Sequence, residues 1–173
     1  MDAVLDDPGE FCRKGQEYGG RIKVADLARL SAVCANKSGE LLWTVTGKTG
    51  LFGHPQLDLT VKGSVDLVCQ RCLEAFSLDL DSRAAIILAE SEEKADEIEE
   101  ALDEDDPTEV IVGGEKIDIL VLVEDEVLLT IPLSPRHDIC PDTSCLVFGE
   151  KRPSPFAVLE NLKTSGSKKT EEH

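Results

Sequence analysis

The sequence predicts an α+β fold: an antiparallel β-meander forming a partly open, barrel-like sheet, with a few helices and a zinc knuckle as staple. Three observations lead there. Residues 40–89 fall into three consecutive runs with apolar–polar alternation, which suits half-buried strands with one wet face. Two segments, 24–34 and 116–133, carry apolar residues at helical spacing. Cys69 and Cys72 stand at the corner between the second and third strand runs, and a second pair, Cys140 and Cys145, follows after 67 intervening residues.

The first twenty residues, with DDPG and YGG, read as an irregular lead-in. VADLARLSAVC then puts Val24, Leu27, Ala28 and Leu30 on one face of a short helix, closed by the turn residues NKSG. The runs ELLWTVTGKTG, PQLDLTVKGSVDLVC and AFSLDLDSRAAIILAE are the meander. In the second, Leu57, Leu59 and Val61 alternate with Asp58, Thr60 and Lys62. TEVIVGG adds a short strand. KIDILVLVEDEVLLTIPL is too long for an ordinary strand and reads as a helix of about four turns. Its apolar face is expected to hold Ile117, Leu120, Val121, Leu128 and Ile131, and Pro132 and Pro135 stop it. RHDICPDTSC is irregular, and Ser154 and Pro155 open a short C-terminal helix striped by Phe156, Leu159 and Leu162. The expected organisation is a lead-in at 1–20, one domain at 21–163 with an acidic, mobile insert at 90–109, and a disordered tail at 164–173.

The 173 residues are 41% hydrophobic but only 4% aromatic, so the core must be built mainly from Val, Leu and Ile. The N-terminus reads as neither an export signal nor a transit peptide, and no apolar run reaches the roughly 20 residues of a membrane helix. A reducing, cytoplasmic setting follows as the expectation, with no membrane partner. The net charge of −17 is unevenly spread: residues 90–109 hold 12 acidic side chains and one lysine. That segment reads as a solvated loop or frayed helix, or as a polyanionic arm for a basic protein. General electrostatic attraction to RNA phosphates is excluded for the chain as a whole, since it needs clustered cations.

Six cysteines in a reducing compartment argue for metal or thiols over a disulfide framework. Two spaced pairs are what a tetrahedral zinc site uses, each loop delivering two thiolates. Structural zinc through Cys69, Cys72, Cys140 and Cys145 is therefore favoured, with His137 as an alternative ligand and Asp138 as a substitute or supporting group. Thiols without metal remain open. A thioredoxin-like redox role is disfavoured, because this Cys-x-x-Cys sits between strands and opens no helix. Cys12 and Cys34 read as small buried residues.

Enzymatic motifs are missing: there is no phosphate-cradling glycine loop, nucleophile elbow or His-Glu-x-x-His. No small-molecule substrate is evident. Glu124, Asp125 and Glu126 read as a surface cluster for a basic partner rather than as acid–base carboxylates, and Arg71, between the two thiols, as a further partner contact.

The strings CQRCLEAF, VEDEVLLTIPLSPRHD, VFGE and PSPFAVLENLK occur in that order, and together they make the chain similar to the YceD family of large ribosomal RNA subunit accumulation proteins. The resemblance covers roughly residues 20–163. It places the family's Cys-x-x-Cys on Cys69 and Cys72, its acidic helix motif on Glu124, Asp125 and Glu126, and its Pro–Phe ending on Pro155 and Phe156. The second cysteine region varies among members, which keeps His137 in play. What the resemblance implies is a non-enzymatic role in accumulation or processing of large-subunit ribosomal RNA, in a bacterial cytoplasm or, for a plant protein, a plastid. Its partner would be ribosomal RNA, a basic large-subunit ribosomal protein or an assembly factor. A small zinc-containing RNA-binding or RNA-processing protein is the alternative.

Overall fold

The computed structural model describes residues 3–50, 53–103, 105–114 and 116–140. The segment Met1–Asp138 makes one compact unit; Ile139–His173 make a second, of which only Ile139 and Cys140 are described. The expected C-terminal helix and the tail at 164–173 lie outside the described residues, as does Cys145.

The elements in chain order are β1 (Val4–Leu5), α1 (Pro8–Arg13), β2 (Glu17–Lys23), a 3-10 turn at Val24–Asp26, α2 (Ala28–Val33), β3 (Glu40–Thr49), β4 (Pro55–Val68), β5 (Ala75–Ala89), α3 (Glu92–Ala101), β6 (Glu109–Val112), β7 (Ile117–Asp118) and α4 (Ile119–Thr130). A five-stranded sheet runs β2-β3-β4-β5-β6, and β1 pairs with β7 in a separate two-stranded ribbon. The chain is α+β, as the patterning predicts. The meander holds from β2 to β5, all antiparallel, but β6 joins parallel to β5 after the crossover through α3. Among the described residues the sheet does not close into a barrel: β2 and β6 are its edges.

Alternation decides which face of the sheet is dry. Leu41, Trp43 and Val45 of β3, with Leu57, Leu59 and Val61 of β4, are buried on one side. The register sets Val45 opposite Leu59 and Leu57 opposite Ile86, so the inner face is a continuous apolar surface. Helix α4 lies over it through Ile119, Val123 and Val127, all fully buried. Burying each such side chain stabilises the fold by about 1.5–3 kcal/mol. The buried stripe therefore differs from the expected face: Val121 is half-exposed, Ile117 belongs to β7, and Leu120, Leu128 and Ile131 are only partly covered. The helix is apolar nearly all round, so its period carried no information about which side faces the sheet.

The expected helix over 24–34 is also divided. Leu27, extended at φ −102° and ψ 103°, separates the 3-10 turn from α2, and Val24, Leu27 and Leu30 are buried while Ala28 faces out.

The lead-in expected to be irregular is structured. Asp7 caps α1 by accepting the Glu10 N–H at 2.7 Å, with Pro8 opening the helix. Phe11 and Cys12 of α1 press against Gly47 of β3, where an added Cβ would sit 2.7 Å from the Phe11 ring. Strand β1 is pinned by β7, and the Ile119 N–H donates to the Ala3 carbonyl at 2.8 Å. These elements are too short for periodicity and are made by tertiary pairing. The acidic stretch 90–109 holds α3, capped by Ser91 at the Lys94 N–H, with Ala95 and Ile98 buried against Ile87 and Ala89 in a second small core. Its carboxylates line the other face.

Candidate metal centre

The β4–β5 corner carries the first cysteine pair. Val68 ends β4, and the chain reverses through residues 69–74. The Cys69 N–H donates to the Glu74 carbonyl at 2.9 Å, and the Leu73 N–H donates to the Cys69 carbonyl at 2.9 Å. Leu73 takes a left-handed conformation at φ 64°, and this lets so tight a corner close with a side chain present. The loop after α4 is fastened to the corner by two hydrogen bonds that need no metal. The Gln70 N–H donates to the Pro135 carbonyl at 2.8 Å, and the Arg71 guanidinium donates to the His137 carbonyl at 3.2 Å.

Those bonds bring the donor atoms together. The Cys72 sulfur lies 3.4 Å from His137 Nδ1, and the imidazole packs on Phe76 with ring centroids 4.9 Å apart. One donor atom from each of Cys69, Cys72, His137 and Cys140 lies within 4.8 Å of all the others. Cys69 and Cys140 are buried. Burial pushes the Cys69 thiol up, but hydrogen bonds from the Cys72, Arg71 and His137 backbones and the His137 side chain outweigh it and bring it down to about 5. Three sulfurs and one imidazole nitrogen at this spacing form a group that could hold a metal ion of soft or borderline character.

The structure thus assembles Cys69, Cys72 and Cys140 as the cysteine spacing suggests, and it places His137 among them. Asp138 is not one of the four donors and is exposed. Arg71 is at the surface, with its guanidinium turned onto the His137 carbonyl.

The acidic triplet on α4 is engaged within the protein. Glu124 is buried, and its carboxylate accepts the Arg29 and Leu30 N–H groups and the Arg29 Nε. Asp125 pairs with the Arg29 guanidinium at 2.6 Å, and Glu126 accepts from the Ser82 hydroxyl. Arg29 is the residue that sequence reasoning missed here. It stands 95 residues from Glu124, and no local pattern signals such a pairing. Of the other cysteines, Cys12 is buried as expected, with its thiol on the Gln56 carbonyl, whereas Cys34 is only half-buried.

Fold and site together define a small α+β protein whose meander corner carries a cysteine–histidine cluster that could hold a metal ion. No helix among the described residues is long and apolar enough to cross a membrane. Residues 57–163 match the family described as large ribosomal RNA subunit accumulation protein YceD. A Haemophilus influenzae protein named large ribosomal RNA subunit accumulation protein YceD is 32% identical over 170 residues, covering 91% of this chain and 93% of that protein. The chain belongs to the YceD family. No solved structure matches it.

Proposed function

We propose that this protein is a non-enzymatic factor in large ribosomal subunit biogenesis, supporting accumulation or processing of large-subunit ribosomal RNA by binding a basic protein. The observation that supports the reading is the similarity, over nearly the whole of both chains, to a relative named for accumulation of the large ribosomal RNA subunit. The surface supports the choice of partner. Helix α3 exposes Glu92, Glu93, Asp96, Glu97, Glu99 and Glu100 against a single lysine, Lys94, which is itself paired with Glu97. Such a surface repels phosphate and favours encounter with a cationic ribosomal protein or assembly factor. A structural zinc at the knuckle belongs to the same reading, holding the corner and the loop after α4 in one geometry. The working compartment is the one in which the large subunit is assembled, the cytoplasm in a bacterium.

The test uses cells lacking their own family member, complemented with this chain. Large-subunit ribosomal RNA, measured against small-subunit RNA, is expected to recover with the wild type and less with a variant carrying glutamines at Glu92, Glu93, Asp96 and Glu97. Pull-down of the wild type with and without RNase identifies the partner: capture of a basic large-subunit protein that survives RNase is expected. Loss of all ribosomal components on RNase treatment would move the contact to RNA. Unchanged ribosomal RNA in the complemented cells would overturn the reading.

A further inference from the structure

We infer that the open edge of β6 docks an extended basic segment of a protein, which adds to the sheet as a further strand and meets the carboxylates around the end of α3. This rests on the basic-partner reading above and names how that partner is held.

Backbone geometry supplies the first argument. Among the described residues β6 is bonded to β5 alone. The Gly113 N–H donates to the Ala89 carbonyl at 2.8 Å, and alternation along the strand turns the main-chain groups of Glu109 and Ile111 towards β5 as well. The N–H and C=O groups of Val110 and Val112 therefore point away from the sheet, where another strand would pair with them. Sheet edges are commonly blunted by lysine or proline, and the sequence EVIV carries neither. The opposite edge, β2, is protected. It holds Gly19 and Gly20, which weaken a strand, and Arg21 and Lys23, which repel a cationic segment.

Charge supplies the second argument. A groove is lined by β6 and by the C-terminal end of α3, with Leu102, Val110 and Ile111 among its apolar residues. Leu102 and Val110 pack on the small core under α3, which fixes that side of the groove. Glu99, Glu100, Asp103, Asp106 and Glu109 stand around it, and no lysine or arginine does. Among the described residues none of these five carboxylates is in an ion pair. Asp106 also braces the entry to β6 by accepting the Thr108 N–H at 2.9 Å. Uncompensated carboxylates beside an open edge repel RNA and a second copy of this acidic chain, and they attract lysine and arginine. Main-chain bonds then supply affinity, and the carboxylates select cationic side chains.

The probe is a fluorescent peptide of about ten residues alternating lysine with valine, titrated into the full chain. Binding is expected to slow hydrogen exchange at the Val110 and Val112 amides and to leave those of Glu109 and Ile111, already bonded to β5, unchanged. Val112→Pro removes an outward N–H and no bond to β5, so it is expected to weaken binding by about ten-fold or more, while Val112→Ala binds as the wild type does. Glu99→Gln, Glu100→Gln and Asp103→Asn together are expected to weaken it by about ten-fold. A lysine–proline peptide of the same charge, unable to form a strand, is expected to bind about ten-fold more weakly or worse. Fluorescence of the single tryptophan, Trp43, reports whether each variant is folded. If the lysine–proline peptide and Val112→Pro both bind as well as their parents, charge alone makes the contact: this inference fails and the basic-partner reading stands. Absence of peptide binding, displacement of the peptide by an RNA oligonucleotide, or a dimer that Val112→Pro dissolves also overturns it. The basic-partner reading is judged separately, by recovery of ribosomal RNA in the complemented cells.

Discussion

The Glu124 carboxylate caps helix α2 from the other end of the domain: Oε1 accepts the Arg29 N–H at 2.7 Å and the Leu30 N–H at 3.0 Å. Helix α2 needs this, because Leu27 stands at its N-cap and has no side-chain oxygen to offer. A carboxylate at a helix N-terminus also meets the positive end of the dipole. Glu124 sits among the buried valines of α4, so one residue both seats that helix and completes the first turn of another. Replacing it with alanine strands two N–H groups and the Arg29 side chain. A loss of about 2–4 kcal/mol is expected in denaturant unfolding followed by Trp43 fluorescence, with Glu124→Gln losing less.

The same residue gives the protein an acid limb. Burial pushes the Glu124 carboxyl up, but the Leu30 N–H and the Arg29 side chain and N–H more than offset it, leaving its pKa below the ordinary 4.5. A carboxyl with a depressed folded pKa contributes stability that is fully present above the unfolded value. That stability is lost as pH falls through the folded value. Unfolding free energy of the wild type should decline below about pH 4.5, and Glu124→Gln should flatten that part of the curve. Parallel curves for the two proteins would contradict the assignment.

Gly47 is where α1 approaches the sheet. An added Cβ would lie 2.7 Å from the Phe11 ring and 2.8 Å from the Cys12 Cα and the Phe11 carbonyl oxygen. Backbone lies on that side as well as a ring, so the clash is not relieved by a rotamer change. Gly47→Ala is expected to cost about 1–3 kcal/mol and to expose the 8–13 segment to hydrogen exchange before the rest of the sheet.

Leu73 offers a test of the knuckle that touches no ligand. Its side chain is 74% exposed, so truncation removes little packing, while its φ of 64° is unfavourable for a residue with a Cβ. Leu73→Gly should be neutral or stabilising by less than about 1 kcal/mol, relief of strain being offset by a freer unfolded chain. Leu73→Val, β-branched and poorer in this conformation, should cost about 1 kcal/mol. Thermal melts of the three proteins give the order directly.

Helix α3 is held by a small core of its own, in which Ala95 and Ile98 meet Ile87 and Ala89. Ile98→Ser should therefore act locally. Amide exchange across 92–101 is expected to rise by about ten-fold or more, while the Trp43 unfolding midpoint moves little. A global loss of stability equal to the local one would mean that the two cores unfold together.

The three long strands and their corner were legible because alternation has a period of two, and one half-buried face imposes it over ten or more residues. Cys69 and Cys72 were placed at that corner by the same pattern. Short elements escaped: β1 and β7 have two residues each and exist because a partner strand is present. The cysteine spacing could nominate donors, but bringing His137 beside Cys72 needed the loop after α4 folded against Gln70 and Arg71. The three acidic residues of α4 show the limit most clearly. By sequence they looked like one surface cluster, yet Glu124 is buried, Glu124 and Asp125 share Arg29, and Glu126 turns to Ser82. An α-helix turns by about 100° per residue, so neighbours in sequence face different elements, and only the packed structure decides which is buried.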